Sequence, residues 1–384
     1  MNDKIKGRLF ILLLGILLLP VVQHSFHLFG DARLYGNYTV APDVDFSTDK
    51  WWSGEYWDRK SKYINDAVGF RPVMIKVNNQ LNFSLFNRLP INIPTPIDNC
   101  LFFSGFSRSY SGQDFIGWRR INGSVKKLKA IQDTLGKLGK SLILVYAPGK
   151  DFFYPEYAPV GDQNPHHKPT NYSVYAKMTD SFGINQVDFN AWFLAIKGKT
   201  KDQLFTRQGI HWSMYGATLA ADSIVRYMEK LRHIKMPHPV WTKVEHTRKA
   251  RYYDDDVAQC FNLIFPYMRE VYSYPEVSYP KGEGIVKPRV IYIGDSFAEL
   301  WIFQHFMDYT DADWRYWYYF KDVWERYDQD ESRSKRTLSG NEWIEGINYA
   351  DCIILMYSPS TLNYLGNGFI EKAYDHYFPS MPVN

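Results

Sequence analysis

"VIYIGDSFAEL", residues 290–300, is the stretch on which the fold turns. Val290 to Ile293 form a short continuous apolar run that ends in Gly294, Asp295 and Ser296. Such a run, closed by a turn signal, reads as a strand buried on both faces of a parallel sheet. Glycine permits a tight backbone at the strand end, where the Ser296 hydroxyl can emerge. In open parallel sheets ligands gather at the carboxyl ends of strands, where following helices aim their free amides. Ser296 is therefore a candidate nucleophile. For an isolated Gly-Asp-Ser the simpler reading is that Asp295 or Ser296 only caps the helix that follows.

The same alternation of elements extends outward in both directions. Val125, Leu128, Ile131, Leu135 and Leu138 recur at three and four, the spacing of a helix face, and Gly139 marks its stop. "SLILVYAP" follows as a buried strand closed by proline. "INQVDFNAWF" resumes the pattern, and Ser213 can cap a helix through "ATLAADSIVRYMEKL". "AELWIFQHFMDY" predicts the helix leaving the Ser296 turn, and "DWRYWYYF" and "ADCIILMYS" two more strands. The expected class is α/β, three-layered, with a mostly parallel sheet. The expected division is a membrane segment over 1–29, a connector and cap over 30–99, and the α/β domain over 100–384. The stretch "VEHTRKARYYDDDVAQCFN" is less regular and reads as an excursion, its acidic run Asp254 to Asp256 as a solvated turn.

A serine hydroxyl is a poor nucleophile at neutral pH and needs a neutral imidazole to take its proton. "GIHWSMYGA", residues 209–217, places His211 in a loop immediately before a capped helix, where a base can be held rigidly. A half-buried structural histidine beside Trp212 is the bland alternative. The combination with Gly-Asp-Ser favours the base.

Composition narrows the classes. A net charge of +4 with dispersed basic residues leaves no footprint for nucleic acid. Aromatic residues make up 17% of the chain, enough to fill a core and leave rings for a sugar-binding groove. Lys4, Lys6 and Arg8 precede an apolar run from Leu9 to Val22, with no clear cleavage site after it. This reads as an uncleaved anchor, its N-terminus cytoplasmic and the rest of the chain outside. Cys100, Cys260 and Cys352 are widely spaced and suggest neither a metal site nor a disulfide framework. His166 and His167 have no carboxylate or cysteine at ligand spacing and read as loop. The sequence carries no Walker loop, dinucleotide-binding glycine fingerprint, HExxH or G-x-S-x-G, so those chemistries have no motif to rest on.

With both motifs in place, the chain resembles the alginate O-acetylation proteins of the AlgJ and AlgX type. In that family an Asp-x-His-Trp motif precedes a Gly-Asp-Ser motif within an SGNH-hydrolase-like domain, the reverse of the order in ordinary GDSL esterases. "YINDAVGFRPVMIKVNNQLNFSLFN", "NCLFFSG" and "LILVYAPGKDFFYPEYAP" resemble the family's upstream segments in the right succession, so the likeness covers roughly residues 50 to 360. It implies Ser296 as nucleophile, His211 as general base and the Ser296 amide as an oxyanion donor. It implies no cofactor, a polysaccharide acceptor and a multi-span membrane acyltransferase as acetyl donor. The same residues would serve a carbohydrate acetyl esterase.

The family's aspartate falls on Gly209. Three consequences are open: another acceptor orients His211, with Asp295 and Asp222 nearest in sequence; the pair works as a dyad; or the site only binds, as part of a scaffold. Four further residues are candidates for oxyanion or substrate contacts. Asp295 adjoins the serine; Lys150 follows the strand in "APGK"; Arg326 in "VWERYD" could meet a carboxylate; and Tyr357 ends the strand "CIILMY". The plain alternatives are a solvated lysine, a surface arginine beside Glu325 and a tyrosine packed on its neighbour.

Overall fold

The computed structural model describes residues 3–379 except 31, 37–38, 92, 95, 104–106, 160–167 and 326–335. The chain forms two compact units, Met1–Asn92 with Ala258–Met268, and Ile93–Val257 with Arg269–Asn384.

The first unit is helical. α1 (Asp3–Phe26) is an apolar helix of 24 residues, long and apolar enough to cross a membrane. Its C-terminal end is tied down. The Gln23 amide donates to the Phe29 carbonyl at 2.7 Å, and its oxygen accepts the Phe29 N–H at 3.1 Å. Gly69 approaches so closely that a Cβ there would lie 2.3 Å from the Pro20 carbonyl and 2.6 Å from the Gln23 side chain. α2 (Thr48–Trp52), α3 (Glu55–Ala67) and α4 (Arg71–Phe86) follow, and none of these three buries a residue fully. Phe46, Trp51, Tyr56 and Trp57 pack edge-on or tilted against one another, with Trp51 and Trp57 ring centroids 4.3 Å apart.

The second unit is a layered α/β fold. α5 (Ser107–Ser111) and α6 (Trp118–Lys137) lead into β1 (Ser141–Tyr146). α7 (Lys150–Phe153), α8 (Asn171–Ser181), β2 (Gln186–Asp188), α9 (Phe189–Ile196) and α10 (Met214–Arg232) come next. β3 (Val244–Thr247) pairs antiparallel with β4 (Tyr272–Pro275), and α11 (Asp256–Gln259) lies on the excursion between them. β5 (Arg289–Gly294), α12 (Glu299–Phe303), α13 (Phe306–Thr310), β6 (Asp313–Tyr318), β7 (Asp322–Glu325), β8 (Arg336–Thr337), α14 (Glu342–Tyr349), β9 (Cys352–Tyr357) and α15 (Phe369–Tyr377) complete the unit. Among the described residues the main sheet runs β2-β1-β9-β5-β6-β7-β8. Its first five strands are parallel and the last two antiparallel, which is the mixed, mostly parallel α/β class that the periodicity predicts.

Strand alternation divides the core into two layers. Cys352, Ile354 and Met356 face one side with Trp212, Phe297 and Trp301; Ile353, Leu355 and Tyr357 face the other with Val125, Leu128 and Ile131 of α6. Two local expectations fail. Leu138 is 55% exposed, because α6 ends at Lys137 and Gly139 reverses the chain at φ +70°. The single helix expected after Ser296 is broken: Gln304 turns its amide onto the Met214 carbonyl (2.8 Å) and Thr218 hydroxyl (3.1 Å), and His305 takes a left-handed φ of 56°.

Candidate active site

β5 delivers Ser296 to the carboxyl edge of the sheet. Gly294 is required there by space, since a Cβ would sit 2.0 Å from the Met356 carbonyl of the neighbouring strand. Asp295 caps the 3-10 turn Ser296–Ala298 by accepting the Phe297 N–H at 3.2 Å.

The other half of the site is the loop before α10. Ser213 caps that helix by accepting the Gly216 N–H at 3.0 Å, while its own N–H donates to the Leu204 carbonyl at 2.8 Å. Trp212 is fully buried against Phe189, Phe193, Phe297 and Trp301, so it fixes the loop and takes no part in chemistry. Next to it, His211 is held between the rings of Tyr253 (centroids 4.8 Å, stacked at 25°) and Phe297 (4.9 Å). The Tyr253 hydroxyl donates to buried Glu299, so the stacking ring is itself anchored.

The Ser296 hydroxyl lies 2.7 Å from His211 Nε2. On the far side of the imidazole, Nδ1 lies 2.7 Å from Oδ2 of Asp256. The second oxygen of that carboxylate accepts the Ile210 N–H at 2.9 Å, which orients the acid relative to the loop that carries the base. An acceptor on Nδ1 selects the tautomer with its proton there and leaves the Nε2 lone pair facing the serine. The constellation is a complete Asp-His-Ser array at hydrogen-bond distances.

Asp256 lies outside the acids nearest to the two motifs in sequence. Neither of those two, Asp295 or Asp222, bonds His211. Asp295 is committed to the Ser358 N–H and hydroxyl (both 2.7 Å) and to Thr361 (2.6 Å), and Asp222 pairs with Arg226 (2.9 Å) and His238 (2.8 Å). The acidic run 254–256 is not a solvated turn either: Asp254 is buried, and burial pushes its carboxyl up to about 7.

Gly209 and Asp256 are physically linked. A Cβ on Gly209 would lie 2.5 Å from the Tyr253 carbonyl and 2.8 Å from that of Asp254, so the arch carrying the acid rests on the bare glycine. Thr206 ties the two together, donating to the Asp254 carbonyl at 2.6 Å and accepting the Gly209 N–H at 3.0 Å. Gly209→Ala is expected to lower stability by about 1–3 kcal/mol, the usual cost of forcing atoms into a packed site. Urea unfolding of the purified chain checks this, with a midpoint at or above the parent's as the contrary result.

The remaining candidates are placed as follows. Lys150 is buried, and its ammonium donates to the carbonyls of Leu101 (3.0 Å), Arg207 (2.8 Å) and Gly209 (2.6 Å). It is neither solvated nor free to meet an oxyanion; with three protons in use it pins the backbone leading to His211. Asp295 accepts from Phe297, Ser358 and Thr361, so its oxygens are spent on latching the serine turn to the end of β9. Tyr357 is fully buried in the core layer opposite that of Trp212 and Phe297, which removes its hydroxyl from the serine. Arg326, His166 and His167 lie outside the described residues. Among the described residues no cluster of His, Cys, Asp and Glu could hold a metal ion.

Electrostatics favour a poised base. Burial alone depresses the His211 imidazole, but the charge and hydrogen bond of Asp256, with contributions from Glu299 and Asp295, outweigh it and hold the group above its ordinary 6.5. A base works only when neutral, so the acid limb of kcat/KM is expected above pH 6.5. Asp256→Asn removes the largest raising contribution and should move that limb to lower pH. A pH-rate profile of acetyl-ester turnover reads both; a limb unmoved by the substitution would speak against the pairing.

The class is given by sequence over this region, which matches the SGNH-hydrolase-like acetyltransferase domains. The chain belongs to the AlgJ/AlgX-type family: a family model described as "SGNH hydrolase-like domain, acetyltransferase AlgX" matches residues 106–310, a little over half of it. It is similar to the probable alginate O-acetylase AlgJ of Pseudomonas syringae pv. tomato (strain ATCC BAA-871 / DC3000), with 23% identity over 197 residues, 50% of this chain and 46% of the relative. The chain thus spans about half the length of that curated relative. Among solved structures it is similar to the O-acetyltransferase domain of Pseudomonas putida AlgJ (14% identity, TM-score 0.47, 74% of this chain and 99% of the other). Pseudomonas aeruginosa AlgX follows with 14% identity and TM-score 0.40, over 73% of this chain and 66% of the other.

Proposed function

We propose that this chain is an extracytoplasmic O-acetyltransferase that modifies a cell-surface or exported polysaccharide through an acetyl-Ser296 intermediate. The observation that carries the reading is the unbroken hydrogen-bond relay from Asp256 through His211 to Ser296. Ser296 Oγ attacks the acetyl carbonyl while His211 Nε2 takes its proton, and the Asp256 carboxylate stabilises the imidazolium. The Ser296 N–H, at the head of the turn, would donate to the developing oxyanion. Collapse breaks the bond to the donor's leaving oxygen, which receives the proton from His211, and leaves acetyl-Ser296. A sugar hydroxyl then gives its proton to His211 and attacks the same carbonyl, releasing acetylated sugar and free Ser296. A multi-span membrane acyltransferase would supply the acetyl group from across the membrane, with α1 anchoring the chain beside it. Asp256 also answers the feature that favoured a non-catalytic scaffold, namely the missing acid at Gly209.

The test uses the full chain with a chromogenic acetyl ester, with and without oligosaccharide acceptors. The expected result is an acetyl adduct on the peptide containing Ser296 and, with acceptor present, acetylated oligosaccharide by mass spectrometry. Acetate release with no transfer to any acceptor would replace transferase by esterase.

A further inference from the structure

α4 leaves a row of apolar side chains open to water. Its exposed face carries Val73, Met74, Val77, Leu81 and Leu85, from 40% exposed at Val77 to 68% at Leu85. The spacing of Val73, Val77, Leu81 and Leu85 at every fourth residue makes this one continuous stripe. Asn78 and Ser84 are exposed beside this stripe, while Ile75, Asn79, Gln80 and Phe83 are half-buried on the inward side. Asn79 donates to the Phe261 carbonyl at 3.0 Å, and the Gln80 side-chain oxygen accepts the N–H groups of Ile264 (3.2 Å) and Phe265 (3.1 Å). Those bonds hold up a loop whose tip is itself apolar and outward, with Ile264 50% and Phe265 66% exposed. A soluble protein seldom leaves so large a contiguous apolar surface to water.

We infer that this face of α4, with Ile264 and Phe265, lies in the headgroup–acyl boundary of the membrane that α1 enters. The inference rests on reading α1 as a retained anchor. Three observations choose the bilayer as occupant. Gly69, two residues before α4 begins, is packed against Pro20 and Gln23 at the end of α1, and Phe70 meets Phe29 at 5.9 Å. α4 therefore starts where the anchor leaves the apolar layer, since 24 residues at 1.5 Å each span about 36 Å against a hydrocarbon core of about 30 Å. The formal charges on α4 are Arg71 and Lys76, both cationic, near its start, and the remainder of its polar side chains are neutral amides and a serine. A helix of this kind, apolar on one side and seated at the interface plane, binds through buried apolar area, helped by attraction to anionic headgroups.

The test uses the full chain in phosphatidylethanolamine/phosphatidylglycerol nanodiscs. A fluorophore is attached through Leu81→Cys or Leu85→Cys in a Cys260→Ser background, because Cys100 and Cys352 are buried. Expected are strong quenching by nitroxide-labelled lipid and a several-fold lower iodide quenching constant than for the same protein in a lipid-free amphipol. Labels open to iodide and untouched by lipid nitroxide, on protein that co-migrates with the discs, overturn the inference and leave the anchor standing. Labels shielded from both quenchers overturn it in favour of a second copy of the chain. Failure to co-migrate overturns anchor and inference together.

Discussion

Asp256→Asn is expected to slow acetyl-ester turnover on the order of 10⁴-fold, the cost of leaving a triad imidazole in the wrong tautomer. The asparagine amide fits where the carboxylate was, so the Ile210 N–H keeps an acceptor, but its NH₂ can present a proton to Nδ1 and push the imidazole proton toward Ser296. The fold should persist, because Asp256 is partly exposed, with 19% of its side chain open to solvent. Circular dichroism and the urea midpoint confirm that arm of the experiment. Adding Gly209→Asp to Asp256→Asn, which puts the acid back at the family's position, is expected to recover nothing, since that side chain must first displace the carbonyls of Tyr253 and Asp254. A loss below about tenfold for Asp256→Asn would mean that the site works as a dyad and that the carboxylate is ornamental.

Ser296→Ala is expected to have the largest effect of all, on the order of 10⁶-fold, because no nucleophile remains to form the acyl intermediate. Members of one relay act as a unit, so Ser296→Ala combined with Asp256→Asn should be no slower than Ser296→Ala alone. Steady-state turnover of a chromogenic acetate, together with loss of the acyl adduct by mass spectrometry, measures both. Residual serine-independent turnover at parent rates would remove Ser296 from the chemistry.

How far the sequence could be read divides along contact range. Apolar periodicity locates α6, β1, β5, β9 and α10, because each is set by residues within one or two turns of one another and by the two cores they fill. Ser213 is legible as a cap for the same reason. His211 and Ser296, 85 residues apart, are findable because each sits at an element boundary with its own local signature. Asp256 has no such signature: it lies 45 residues beyond the histidine in an irregular excursion, and an acidic run there looks like any hydrated turn. Its one trace was negative, a glycine in the slot where an acid belongs. Lys150 fits neither the substrate contact nor the solvated lysine that its sequence suggests, because three backbone carbonyls, brought together only by folding, take up its ammonium.

The seating of the 253–256 arch on Gly209 makes two designs mutually exclusive. An ancestor with its carboxylate two positions before the histidine would have to lose that side chain before the arch could settle, and the reverse trip must evict the arch first. No single substitution converts one working arrangement into the other without an intermediate that lacks its charge partner. Motif scanning that counts such a chain as dead for want of one residue is therefore looking on the wrong loop.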